Sequence, residues 1–91
     1  MVIKYELVDA VEDRSYIYQI RSECGDLCTV VCPEWDHGNW RESERELTRT
    51  YKEIFDRAFA AGVKTVYVPM LGEENKRVPV HRTMDALFNT L

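Results

Sequence analysis

Two β-rich runs that each stop at a proline do most to limit what this chain can fold into. Leu27 to Cys32 leads into Pro33, and Val63 to Val68 leads into Pro69. Runs of this length, rich in Val, Thr and Tyr, read as strands. Proline cannot donate to a central ladder, so each strand ends there. Between them Leu47, Tyr51, Ile54, Phe55 and Ala58 recur at i, i+4, i+7, i+8 and i+11. That spacing puts one apolar stripe on a long helix, and Gly62 suits the left-handed residue that stops it. Strand, helix and strand in this order predict parallel strands joined by a right-handed crossover. A polar loop, residues 70–78, follows, and Pro79 suits the first turn of a last helix. Val80, Met84, Leu87, Phe88 and Leu91 repeat the helical spacing there.

The first part of the chain is read the same way. Val2 to Val8 partly alternates and predicts a strand. Ser15 to Arg21 predicts a second, with Tyr16, Tyr18 and Ile20 on one face. The acidic, turn-like stretch 9–14 between them suggests an antiparallel hairpin. Glu23-Cys24-Gly25-Asp26 is a second turn. Leu27 to Cys32 is apolar at almost every position, as for a strand buried on both faces. Val63 to Val68, lying between two amphipathic helices, is expected at the centre of the sheet. Asn39 with Glu42, and Ser43 with Glu46 one turn on, offer capping-box pairs for the long helix. The expected fold class is α/β, a small mixed sheet in the order β-β-β-α-β-α. It forms a two- or three-layer sandwich, with residues 1–91 as one domain.

Composition decides between classes of protein. Of 91 residues 45% are hydrophobic, enough for one core in a chain of this size. Sixteen acids against twelve bases give a net charge of −4, which argues against nucleic acid as a partner, since such binding runs on phosphate neutralisation. Arg41, Arg45, Arg49 and Lys52 are interleaved with acids and form no basic stripe. Met1 to Glu6 lacks the apolar core of a signal peptide, and no apolar run approaches the ~20 residues that span a bilayer. A cytoplasmic protein with no membrane contact is expected.

Cys24, Cys28 and Cys32 are spaced C-x3-C-x3-C, with His37 nearby. Zinc sites use tighter pairs on chelating loops, and cysteines on a strand act as small hydrophobes. No metal and no cofactor are expected. His37 and His81 form no evident nucleophile–base pair, so no catalytic residue is assigned and the chain reads as a binding protein rather than an enzyme. Trp35 and Trp40, flanking Gly38, are the most unusual local feature. Exposed loop aromatics mark partner-binding surfaces; aromatics at a rim also simply pack. Both readings stand.

These residues together resemble the C-terminal part of a macro domain, the family that binds ADP-ribose and related nucleotides. The strand ending in proline and an aromatic is matched by Thr29-Val30-Val31-Cys32-Pro33-Glu34-Trp35. The next helix is matched by Leu47, Tyr51, Ala58, Ala61 and Gly62. The strand that runs into the ligand loop is similar to Val63 through Pro69-Met70-Leu71-Gly72, and Pro79 lies at the family's spacing beyond it. The resemblance covers roughly residues 27–91. It implies a nucleotide-type ligand at the C-terminal ends of the strands, held by Pro33, Trp35 and the loop Gly72, Glu73, Glu74, Asn75 and Lys76. Asp9, soon after the first strand, stands near the family's adenine-contacting aspartate; an Asp there also serves as a turn residue. The family's catalytic asparagine segment and first glycine-rich loop have no counterpart, so ADP-ribosyl hydrolysis is not implied. Glu73 and Glu74 stand where the family cradles a pyrophosphate, and only one glycine remains in that loop. The alternative is an interaction module that keeps the fold without the ligand, meeting a protein partner through Trp35 and Trp40.

Overall fold

The computed structural model describes residues 2–5, 17–72 and 78–90. Within them four strands form one mixed sheet: β1 (Val2–Tyr5), β2 (Ile17–Ser22), β3 (Gly25–Val31) and β4 (Thr65–Val68). Two α-helices, α1 (Trp40–Ala61) and α2 (Val80–Thr90), accompany it. A 3-10 turn over His37–Asn39 leads into α1. The strand order is β1-β4-β2-β3, so β4 is interior, as the sequence predicts for Val63 to Val68.

The expected hairpin of the first two strands is overturned. β1 pairs in parallel with β4, Val2 opposite Thr65 and Tyr5 opposite Val68. The antiparallel hairpin is instead β2 with β3, closed between Ser22 and Gly25. Gly25 takes a φ of 102° there, a region that glycine enters without a Cβ penalty. The register slips between Ile20 and Arg21, a bulge that bends the hairpin. Its turn is fastened to the start of β4: Glu23 N–H donates to Thr65 O, and the Glu23 carboxylate accepts from Lys64 N and Thr65 N. Those amide donors, the Lys64 amide foremost, hold the Glu23 carboxyl below its ordinary value against an opposing desolvation.

β3 and β4 run the same way, but β2 lies between them, so the crossover through α1 spans a strand rather than joining neighbours. β3 ends the row of described strands, and Val31 is 64% exposed. The expectation of a strand buried on both faces is therefore wrong. A continuous apolar run needs helices on two sides, and here they pack on one.

That covered face carries Tyr18 and Ile20 of β2, Val30 of β3 and Val66 and Val68 of β4. Leu47, Tyr51, Ile54, Phe55 and Ala58 of α1 complete the same core, the stripe the spacing predicts. Burial of each large side chain contributes about 1.5–3 kcal/mol. Gly62 caps α1 in the left-handed region, φ 68°, with its N–H on Ala58 O and Phe59 O. The opposite face, with the paired Ile17 and Val31 and the exposed Gln19, Arg21 and Thr29, has neither helix on it. Among the described residues the molecule is a two-layer sandwich.

Two helical expectations change. Asn39 is the residue before α1 but makes no side-chain cap. Asp36 instead accepts from Gly38 N, and Ser43 Oγ accepts from Asp36 N at 2.9 Å, so the paired caps of Asn39 with Glu42 and Ser43 with Glu46 are replaced by one tighter loop closure. On α2 the buried line is Thr83, Ala86 and Leu87; of the expected Val80, Met84, Leu87, Phe88 and Leu91, only Leu87 belongs to it. Val80 and Phe88 are 51% and 60% exposed; Leu91 lies outside the described residues. Thr83 can take a core position because its hydroxyl donates to Leu71 O at 3.2 Å, which removes the cost of burying it unpaired.

Candidate functional site at the strand ends

β1, β3 and β4 are mutually parallel, so their C-terminal ends share one end of the sheet. Open α/β sheets present ligand crevices at that end. From β4 the chain continues through Pro69, Met70, Leu71 and Gly72, and from β3 through Cys32, Pro33, Glu34, Trp35 and Asp36.

The segment after β4 leaves the sheet ladder, and its polar groups must find other partners. They are hydroxyls from three elements. Tyr51 of α1 donates to Pro69 O at 2.7 Å and accepts from Leu71 N at 3.1 Å. Tyr18 of β2 accepts from Gly72 N at 3.2 Å. Thr83 of α2 donates to Leu71 O. Leu71 and Gly72 are buried, and Gly72 has a φ of 82°. Val78 returns beside it, its N–H directed at Gly72 O at 3.5 Å. A Cβ on residue 72 would stand 2.4 Å from Val78 Cγ2. Gly72 and Val78 therefore form a neck that admits only glycine at position 72.

The segment after β3 makes a different surface. Trp35, half-buried against the core, lines an open groove of about 470 Å³ with Glu34, Asp36, Asn39, Glu42, Ser43 and Glu46. Four of these seven residues are acids. Glu42 is drawn to Arg45 at 3.1 Å, on an exposed pair that neutralises little. The Trp35 indole N–H is shut away from solvent without an acceptor among the described residues, and the His37 ring stands edge-on at 6.5 Å between centroids.

Trp40 belongs elsewhere. Its ring lies under the Arg82 guanidinium, 3.6 Å from carbon to ring centroid, with that of Arg41 at 5.2 Å. Arg82 also faces Glu44 at 3.9 Å and Asp85 at 4.0 Å. This cluster fastens the start of α2 to the first turns of α1. Trp35 and Trp40 thus line separate grooves, the second with Arg41, Glu44, Arg45, Thr48 and Asn89.

Of the residues expected at a ligand site, Pro33, Trp35 and Gly72 lie at this end of the sheet. Among the described residues the Trp35 groove does not reach Gly72. Asp9, Glu73, Glu74, Asn75 and Lys76 lie outside the described residues. Sequence reasoning placed Tyr18 and Tyr51 on apolar faces and missed their hydroxyls and Thr83; the available signal was tyrosine, rather than phenylalanine, at core positions. Cys24 is exposed, Cys28 half-buried and Cys32 buried, and burial pushes the Cys28 thiol up from its ordinary value. No group of three or more His, Cys, Asp or Glu among the described residues is placed to hold a metal ion. No described helix is long and apolar enough to cross a membrane.

The family model for the macro domain matches residues 20–87 of the 91. The chain belongs to the macro domain family, whose members bind ADP-ribose-type ligands in general. Searches of curated proteins and of solved structures found no match.

Proposed function

We propose that this chain is a small macro-domain binding module that takes an ADP-ribose-type ligand with low affinity at the C-terminal strand ends and does not hydrolyse it. The observation that carries the reading is the neck at Gly72. A buried, left-handed glycine opens the loop in the place where the family presents backbone N–H groups to a pyrophosphate. Pro33, Trp35, Asp9 and the loop Glu73, Glu74, Asn75 and Lys76 are the groups proposed to meet the ligand. Low affinity follows from charge. Glu34, Asp36, Glu42 and Glu46 surround Trp35, and Glu73 and Glu74 follow the neck. Each like charge a few ångströms away costs on the order of 1 kcal/mol at a protein surface. No side chain is matched to a catalytic position, and hydrolysis needs groups positioned on the reacting atoms.

Calorimetry with ADP-ribose tests this. The expected result is saturable binding well weaker than low-micromolar, improved when Glu73 and Glu74 are both replaced by glycine. A low-micromolar constant in the wild type, or turnover of an ADP-ribosylated protein, would contradict the reading.

The second reading, an interaction module without a small ligand, is favoured by the acidic groove itself. An aromatic wall ringed by carboxylates suits a basic side chain better than a phosphate. Complete absence of NMR shifts at millimolar ADP-ribose would select it.

A further inference from the structure

We infer that Tyr18, Tyr51 and Thr83 are positioning residues: a three-hydroxyl clamp that holds the main chain of residues 69–72 in its shape before any ligand arrives. The three hydroxyls come from a strand and two helices that are distant in sequence, and all converge on four consecutive residues. Tyr51 does two jobs with one atom. Its oxygen donates to Pro69 O and accepts from Leu71 N, bridging the residues on either side of Met70 and fixing the bend at which β4 ends. Thr83 then takes the Leu71 carbonyl and Tyr18 the Gly72 amide. Leu71 has both its main-chain polar groups satisfied by side chains rather than by any strand or helix.

The arrangement is dispensable for the core. A phenylalanine at 18 or 51, or a valine at 83, would fill the same volume on the same apolar faces. What the hydroxyls add is the placement of a backbone that no ladder holds, next to a neck too tight for a Cβ. A buried main-chain group left without its partner is costly, so each bond excludes alternative paths of the segment. Preorganised backbone spares a ligand the cost of ordering it.

Amide hydrogen exchange on Tyr51→Phe reads this directly. The expected result is that the Leu71 amide exchanges about tenfold faster or more, the order set by loss of a buried hydrogen bond, while Val66 and Val68 of β4 keep the wild-type rate. Tyr18→Phe should release the Gly72 amide, and Thr83→Val serves if Tyr51→Phe does not fold. Tyr67→Phe, on a half-exposed ring outside the clamp, should change neither amide. Faster exchange at Val66 and Val68 in step with Leu71 would show ordinary loss of stability, and unchanged exchange at Leu71 would show that the hydroxyls hold nothing; either overturns the clamp. A second arm, which rests on the proposed ligand, titrates ADP-ribose into the folded variants. The expected result is about tenfold weaker binding by folded Tyr51→Phe; unchanged affinity would count against the clamp. If the wild type itself gives no response, the ligand reading fails and the exchange result alone decides the clamp.

Discussion

The Arg82 guanidinium lies over the Trp40 ring, its carbon 3.6 Å from the ring centroid. This contact joins the first turn of α2 to the first residue of α1. Its partner Glu44 lies 3.9 Å away with one carboxylate oxygen shielded from solvent. Arginine serves here through its planar face as well as its charge. Arg82→Ala should lower stability by about 1 kcal/mol, the scale of a partly desolvated cation–π contact, and Arg82→Lys should recover only part of it. Denaturant unfolding of the three proteins checks the order.

Gly72→Ala meets two separate obstacles. The left-handed φ of 82° costs an L-residue about 1–2 kcal/mol, and the new methyl overlaps Val78 Cγ2. Gly72→Ala combined with Val78→Ala should remove the closest contact, leave a tight 3.0 Å approach to the Cβ of residue 78 and the backbone cost, and add the loss of a buried valine. The double variant is expected to be less destabilised than the two single changes added together. Melting temperatures of the four proteins reveal whether the pair couples.

Glu23 gives a pH signature. Its folded carboxyl titrates below the ordinary value of 4.5 because it accepts from Lys64 N and Thr65 N. A depressed carboxylate contributes stability above its unfolded pKa and loses it as pH falls through the lower folded value. Glu23→Gln should therefore melt below the wild type at neutral pH, and the gap should close only under acid conditions below about pH 4.5. A gap constant across that range would show that the carboxylate charge plays no part.

The thiols should separate kinetically. Cys24 is exposed, whereas burial raises the Cys28 thiol and Cys32 is enclosed. The thiolate is the reactive form, so iodoacetamide at neutral pH should label Cys24 first and Cys28 slowly. Peptide mass mapping over time gives the order. Stoichiometric zinc should leave the rates unchanged.

Ionic strength should act on ADP-ribose in the sense opposite to an electropositive site. The Trp35 groove carries Glu34, Asp36, Glu42 and Glu46, and salt near 0.1 M confines their field to about 10 Å. Binding is expected to tighten modestly as salt rises from about 0.01 M to that level, and Glu46→Gln should tighten it at low salt. Calorimetry at the two concentrations reads the sign; weakening with salt would mean that a cationic cradle dominates.

What could be read beforehand follows from how local the cause is. Leu47, Tyr51, Ile54, Phe55 and Ala58 declare the buried face of α1 by spacing alone, and Gly62 its end. The parallel pairing of β1 with β4 is set by residues more than sixty positions apart, and nothing within the short β1 specifies that partner. Thr83 is polar by composition, and the carbonyl that lets it be buried, Leu71 O, is not its sequence neighbour, so apolar spacing on α2 leaves it out of the buried line. Val31 read as buried because an apolar run does not tell how many sides of a sheet are covered. At the site, Gly72 and Trp35 were nameable from spacing and type, while the roles of Tyr18 and Tyr51 rest on where a hydroxyl points.

Along β2 exposed and buried residues alternate without a break from Ile17 to Ser22. On such a strand the freedom to mutate should alternate as well. Gln19 and Arg21 can vary in size and polarity with little effect on folding, whereas Tyr18, Ile20 and Ser22 each sit under a helix or in a bonded turn. A deep mutational scan would trace this strand as a comb with a period of two, and the depth of its teeth would measure how one-sided the sheet is in solution.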